Sequence, residues 1–379
     1  MKKKFIVVIL SALLLNGSMV GCGRTNQNNH LDNVEESSAD QMAEDTDSNA
    51  ASTEASVLGN EVDSLKERSG EADSLGGTEG AAQPSENTTP VVYMTTDISS
   101  EGLMAVYQAL GWEPDGNVAV KLSTGEPPAS NYLDPDLIKD VVQLVDGIIV
   151  ECNTAYGGSR SQNAMHYQVA EDHGFTAIAE FQILDEDGSM SIPVEGGTRL
   201  TENFVGAHFG DYDSYLVLSH FKGHAMAGFG GAIKNISIGL GSSEGKCWIH
   251  SGGNSLTSPW GGEQDAFLES MAEAGKSVSD YLGNGERIIY INVMNRLSID
   301  CDCNGHPAEP DMHDIGILAS TDPVALDQAC IDLVYAQKDG DGASLVGRIE
   351  SRNGLHTLEH AEEIGLGSRT YQLVSIDGQ

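Results

Sequence analysis

Two rhythms of apolar and polar positions alternate along the chain from residue 91 onward. Short apolar runs suited to buried strands fall at Val118–Leu122, Gly147–Glu151, Ala177–Leu184, Leu216–Leu218, Arg287–Val293, Ile315–Ala319 and Thr370–Ile376. Between them, 3.6-residue spacing predicts a helix over Asp134–Val145. Its apolar positions Leu137, Ile138, Val141, Val142 and Val145 share a face, and Asp134-Pro135 supplies the cap and the first turn. Helices are also predicted over Asn163–His173, with Gly174 as the stop, and over Gln264–Leu282, ending at Gly283. Two more are predicted over Val324–Tyr335, behind Asp322-Pro323, and over His356–Ile364. Such alternation predicts an α/β fold: a mostly parallel or mixed sheet with helices on both faces, as one large domain or two close lobes.

In a parallel sheet the loops that follow strand ends gather on one edge. Here those loops are 123–131, 152–160, 219–231, 300–314 and 320–322. The stretch Leu216–Gly245, LVLSHFKGHAMAGFGGAIKNISIGLGSSEG, carries the richest chemistry of them. It places His220, Lys222 and His224 on a turn-like segment behind a buried strand, as candidate catalytic residues. Gly230 and Gly231 with Lys234 suggest an anion cradle, because glycines admit close backbone approach and helix N–H groups point at the anion. Tight strand–helix packing accounts for the glycines equally well. The Gly/Ser-rich segment 251–262, which follows Trp248 and His250 and contains Trp260, has the composition of a lid.

A second constellation is Cys301-Asp302-Cys303-Asn304-Gly305-His306, followed by Asp311, His313 and Asp314. Two thiols, two imidazoles and carboxylates make a metal-ligand set by type, with Cys301, Cys303, His306 and His313 as its candidates. A local disulfide is the alternative for an exported protein. Cys152, Cys247 and Cys330 suit the core or its margin.

Composition shifts sharply before residue 91. Residues 1–21 have a Lys2-Lys3-Lys4 head and an apolar stretch Phe5–Leu15 too short to span a bilayer, the pattern of an export signal. Met19-Val20-Gly21-Cys22 resembles a lipobox, which implies a lipid on Cys22 and an extracytoplasmic protein tethered to the cell membrane. Residues 22–90 are rich in Ser, Asn, Thr, Asp and Glu and read as a disordered acidic tether. The chain carries a net charge of −37. Setting aside the three signal lysines and the tether's fifteen acidic against three basic residues leaves −28 for residues 91–379. That balance argues against nucleic acid as a partner. With Cys22 lipidated, five cysteines remain, so at least one is unpaired in a monomer or bound to something else.

HFKGHAMAGFGGAIKNISIGLGSSEGK and CDCNGHPAEPDMHDIGILASTDPVALDQACIDLV, together with ECNTAYGG, resemble domain-of-unknown-function family 362, whose members are often labelled iron–sulfur-centre proteins. The resemblance spans about Val91 to Asp377. It implies an α/β fold and metal or cluster chemistry, without an established reaction. Many relatives carry a C-x-x-C-x-x-C ferredoxin insert after the segment matching Gly245-Lys246; here residues 247–262 hold only Cys247. A conventional four-iron cluster is therefore not expected, while a divalent or iron ion is. Two function classes follow. One is a metal-dependent or redox enzyme acting on a small anionic molecule held by Lys222 or Lys234; the other is a lipoprotein that binds a ligand or metal without turnover. A Cys301–Cys303 pair cycling between thiol and disulfide is a third reading.

Overall fold

The computed structural model describes residues 89–338 and 340–378, so the expected signal, the lipidated Cys22 and the tether lie outside the described residues. In chain order the strands are β1 (Val91–Thr95), β2 (Val118–Lys121), β3 (Ile148–Glu151), β4 (Phe181–Ile183), β5 (Ser189–Pro193) and β6 (Glu202–Gly206). They continue with β7 (Ser214–His220), β8 (Lys222–His224), β9 (Gly228–Gly230), β10 (Ile288–Met294), β11 (Gly316–Ser320) and β12 (Gln372–Ser375). The helices are α1 (Ser100–Leu110), α2 (Pro135–Leu144), α3 (Asn163–Asp172), α4 (Ala232–Ser237) and α5 (Ser243–His250). After them come α6 (Gln264–Tyr281), α7 (Pro323–Tyr335), α8 (Ala343–Ser351) and α9 (His356–Glu363).

Eight strands form one sheet in the order β12-β1-β11-β10-β7-β2-β3-β4. Strands β10, β7, β2, β3 and β4 are parallel neighbours, and β1 pairs parallel with β12. Strand β11 is antiparallel to both its neighbours and alone runs against the rest. The expected gathering of loops therefore fails at residues 320–322, which lie at the opposite edge, where Ser320 Oγ donates to Val91 O at 2.9 Å.

The period of two in each strand sends side chains to two separate cores. Ala119, Val150, Val217, Ile288, Tyr290 and Leu318 meet helices α4, α6, α7 and α9 on one face. Val120, Ile149, Leu216, Leu218, Ile289, Ile291 and Ile317 meet α1 and α2 on the other. Every residue of β7 and β10 is buried, and each large aliphatic side chain so placed contributes about 1.5–3 kcal/mol. A smaller core under the β5–β6 hairpin joins Leu200, Ile249, Phe267 and Met271.

Local signals explain the elements they predict. Asp134 caps α2 by accepting from Asp136 N at 2.9 Å, with Pro135 in its first turn. Asp322 accepts from Val324 N and Ala325 N at the start of α7. Gly174, after α3, takes the left-handed conformation at φ 86°. The strand expected over Ala177–Leu184 shortens to β4, because the chain makes a 3-10 turn over Phe175–Ala177 first. The His220–His224 segment is not a turn: His220 ends β7, and β8 pairs antiparallel with β9. Among the described residues no helix is long and apolar enough to cross a membrane.

Candidate functional site

The carboxyl edge of the parallel strands brings together side chains from β2, β3, β7 and the loop after β10. Lys121 ends β2, Glu151 ends β3 and His220 ends β7, all of them buried. Asn235 of α4 ties two of these strand ends. Its Nδ2 donates to Leu218 O and Ser219 Oγ, each at 3.0 Å, and its Oδ1 accepts from Lys121 Nζ at 2.9 Å.

Asp302 organises the centre. Its Oδ1 lies 2.7 Å from His220 Nδ1, and its Oδ2 lies 2.9 Å from Lys222 Nζ, a close ion pair rather than an aligned hydrogen bond. Burial alone would raise the Asp302 carboxyl, but Lys222 and His220 outweigh it and hold the group well below the ordinary carboxylate range. Lys222 Nζ also donates to His220 O at 2.7 Å. His220 Nε2 faces Asn295 O at 2.7 Å, so both ring nitrogens serve acceptors and neither offers a lone pair to an ion. His220 and Lys222, read from sequence as catalytic, are therefore committed to holding Asp302. The fold needs a bare backbone beside them: a Cβ on Gly223 would lie 2.3 Å from Ile299 O.

Asp302 sits between two cysteines that form a Cys301–Cys303 disulfide. Cys301 is only 6% exposed, and Cys303 is half-buried. Ligand atoms of His224, Cys301 and Cys303 lie within 4.8 Å of one another, a group that could hold a metal. In the form described, the sulfurs are joined and present no thiolate. His224 Nδ1 accepts from Ala227 N at 2.9 Å and Met226 N at 3.2 Å, so the neutral ring carries its proton on Nε2. As a ligand set, these residues fit an ion only after the disulfide is opened and that proton is lost. Burial first, then Lys234, His250 and Lys222, push His224 well below the usual imidazole range.

The expected partners of the cysteines are elsewhere. His313 pairs with Asp341 at 2.8 Å and is 63% exposed. His306 is exposed and lines a surface cavity of about 320 Å³ with Arg296 and Asn131. Sequence spacing favoured neighbours in the loop, whereas the fold supplies His224 from β8.

Around this pair stand Lys121, Lys222, Lys234 and Lys246, within an otherwise strongly acidic chain. Lys121 donates to Asn235 and to Leu122 O, Lys222 is paired with Asp302, and Lys246 Nζ donates to Gly241 O at 2.6 Å. Lys234 makes no hydrogen bond or ion pair among the described residues. Burial, then the charges of Lys222, Lys121 and Lys246, lower its ammonium to about 7, against the opposing pull of Asp302. Burial similarly brings Lys121 down to about 8.

His250, beside the Gly/Ser-rich segment in sequence, is buried by α5. Its Nδ1 lies 2.7 Å from Lys246 O, its ring stacks on Phe267 with centroids 4.8 Å apart, and burial lowers it to about 4. The segment after it is tied down at its start, with Ser251 Oγ accepting from Asn254 N and Ser255 N.

The anion cradle expected at Gly230 and Gly231 is filled by the chain itself. Asp327 of α7 accepts from Ala232 N at 2.8 Å and Ile233 N at 3.0 Å, and Asn292 Nδ2 donates to it at 2.7 Å. A Cβ on Gly231 would come 2.3 Å from Asp327 Oδ1, so that glycine serves internal packing. Gly230 lies under the Lys234 stem, its own Cβ position being 3.1 Å from Lys234 Cδ. Of the three residues, Lys234 alone keeps a free polar group.

A second buried network centres on Glu151. Glu151 accepts from Thr124 N at 2.9 Å, Thr124 Oγ1 at 2.7 Å and Arg160 at 2.8 Å, with His166 Nε2 at 3.1 Å. Burial would raise Glu151, but Arg160, His166 and Lys121 hold it well below the ordinary range. Arg160 also pairs with Glu126, whose Oε1 accepts from Ser159 N, so these loop residues build the wall of the site.

A search of curated proteins finds no match. Among solved structures, the chain is similar to the lactate racemase apoprotein from Thermoanaerobacterium thermosaccharolyticum, at 12% identity and a TM-score of 0.40. The likeness covers 67% of this chain and 59% of that one. It is also similar to a protein from Thermotoga maritima, at 12% identity and a TM-score of 0.34, over 70% of this chain and 58% of that one. The chain thus spans less than two thirds of the length of either. The family model described as "Domain of unknown function (DUF362)" matches residues 118–332, from β2 into α7 and across every residue of the lysine, histidine and cysteine cluster. With more than half its length so matched, the chain belongs to the DUF362 family.

Proposed function

We propose that this is a membrane-tethered extracytoplasmic protein whose site binds a small anionic molecule through Lys234. One observation carries the reading: the Lys234 ammonium has no hydrogen-bond or ion-pair partner among the described residues, and it is set among three other lysines in a domain of net charge −28. Crowded cations disfavour one another's charge, and an anion seated among them would relieve that cost. Asp302 neutralises Lys222 and Asp327 occupies the α4 N-terminus, so Lys234 is the group left to meet a ligand. The Cys301–Cys303 disulfide is in keeping with an oxidising compartment, and lipidation at Cys22 would supply the tether.

Thermal-shift titration of the purified protein with phosphate and with small mono- and dicarboxylates tests this reading. Saturable stabilisation, about 2.7 kcal/mol at a hundredfold excess over Kd, is expected for at least one anion. Lys234→Met abolishes it. Absence of saturable stabilisation across the panel sinks the proposal.

A second reading rests on the His224, Cys301 and Cys303 grouping. With both cysteines reduced, a divalent or iron ion held there would supply Lewis acidity beside the bound anion. Elemental analysis of reduced protein against Cys303→Ala addresses it; equal metal content in the two rules it out.

A further inference from the structure

The two sulfurs of the disulfide stand in unequal surroundings. Cys303 is half-buried, the more exposed of the two. Cys301 is 6% exposed, and its Sγ accepts from Cys303 N at 3.3 Å. One ring nitrogen of His224 lies within 4.8 Å of both sulfurs. The carboxylate between the cysteines would ordinarily oppose a neighbouring thiolate, but Lys222 and His220 neutralise it. The remaining described cysteines are set apart: Cys152, Cys247 and Cys330 are buried and free. Cys152 Sγ donates to Leu240 O at 3.3 Å, and burial pushes its thiol up to about 12.

From this asymmetry we infer that Cys301–Cys303 is a thiol–disulfide exchange centre serving a dithiol, with Cys303 as the attacked sulfur and Cys301 as the buried leaving thiolate. A thiolate of the dithiol attacks Cys303 Sγ, and the Cys301–Cys303 bond breaks as the mixed disulfide forms. The displaced Cys301 thiolate is met by the Cys303 N–H, which already points at that sulfur. The second thiol of the partner, as thiolate, then attacks the partner's own sulfur in the mixed disulfide and releases Cys303. Two electrons pass to this chain and the dithiol leaves as a disulfide. The two protons it gave up end on Cys301 and Cys303 or in solvent. In reverse, Cys303 attacks a disulfide and Cys301 resolves it. The exchange needs no anion at Lys234, so it stands or falls apart from the reading above.

The test has two parts on the full chain. Equilibration with graded ratios of reduced to oxidised dithiothreitol, followed by alkylation and mass measurement, is expected to show two thiols appearing together at one midpoint while the fold persists. Oxidised glutathione is then added to reduced Cys301→Ser and reduced Cys303→Ser. Mixed disulfide is expected to form at least tenfold faster in Cys301→Ser, where the more exposed sulfur remains. No gain of thiols in folded wild type, or equal trapping in the two variants, overturns the inference. It is equally overturned if the reduced pair takes up zinc and glutathione disulfide no longer reoxidises it. Should a serine variant fail to fold by circular dichroism, the wild-type titration decides alone.

Discussion

His220 and Asp302, 82 residues apart in the chain, meet at 2.7 Å and fasten the end of β7 to the loop that carries both site cysteines. Lys222 closes the same carboxylate from its other oxygen. Asp302→Asn leaves two buried donors without their counter-charge, and removing one partner of such a group costs about 3–5 kcal/mol. Because the folded carboxyl is held below its ordinary value, its contribution is present above the unfolded value of about 3.9 and is lost as pH falls below that. Urea unfolding is therefore expected to separate wild type from variant clearly at pH 7 and less at pH 3. A gap that stays constant with pH would mean that Asp302 acts through packing alone.

Lys234 gives the proposed ligand site its own pH signature. Its ammonium, lowered to about 7, is charged below that pH and neutral above it in the empty site. An anion favours the charged form, so binding above pH 7 must take up a proton. Affinity is expected to fall by up to about tenfold for each unit above 7 and to level off below it. Calorimetric titration at several pH values in buffers of differing ionisation heat measures both the affinity and the proton uptake. A flat profile from pH 6 to 9 would remove Lys234 from the contact.

Asp327 behaves in the opposite sense to Asp302. Burial raises it to about 6, against the pull of the Ile233 and Ala232 N–H groups and Asn292. A carboxyl that keeps its proton longer in the folded state contributes stability below the unfolded value of about 3.9, which is lost as pH rises through 6. The Asp327→Asn variant is expected to lack that decline between pH 4 and 6. It also replaces a two-oxygen acceptor at the start of α4 with one oxygen and one donor, which costs about 1 kcal/mol or more at pH 4. Parallel pH–stability curves for the two proteins would argue against a titrating Asp327.

The same residues show what a single sequence makes legible. Asp134-Pro135, Asp322-Pro323 and the glycines at 174 and 283 act within one helical turn of their own position, so α2, α3, α6 and α7 could be read directly. The direction of β11 has no comparable local mark, because parallel and antiparallel pairing use similar apolar runs. Helices α1, α5 and α8 were missed; α5 lies in a Gly/Ser-rich context that reads as loop. At the site, residue types were visible and partnerships were not. Asp302 stood in plain view between two cysteines, yet its claim on His220 and Lys222 depends on β10 lying beside β7. His224 reaches the cysteines by the same adjacency, in place of the nearer His306 and His313. Gly231 reads as a cradle for an external anion because nothing local announces Asp327, which lies 95 residues beyond the Ala232 N–H it accepts from.

Gly305 tests how tightly the cysteine loop is held. It packs on the loop after β2: Ala129 N donates to Gly305 O at 3.1 Å and Glu126 N to Asp302 O at 2.7 Å. A Cβ on Gly305 would lie 2.1 Å from Pro127 O and 2.8 Å from Pro127 C, a collision with backbone that no side-chain rotation relieves. Gly305→Ala must therefore push the two loops apart, at about 1–3 kcal/mol for an overfilled contact. Cys303 lies two residues away, so its alkylation after reduction is expected to quicken in the variant while the buried Cys152 stays unreactive. Gly347, inside α8 with nothing within 4 Å of its Cβ position, is the control. Gly347→Ala should leave the cysteines unaffected and stabilise the protein by about 0.5–1 kcal/mol, since alanine loses less backbone freedom in a helix than glycine does. If Gly305→Ala matched the control in both stability and thiol reactivity, the loop would not be pinned by that contact, and the position of Asp302 would rest on His220 and Lys222 alone.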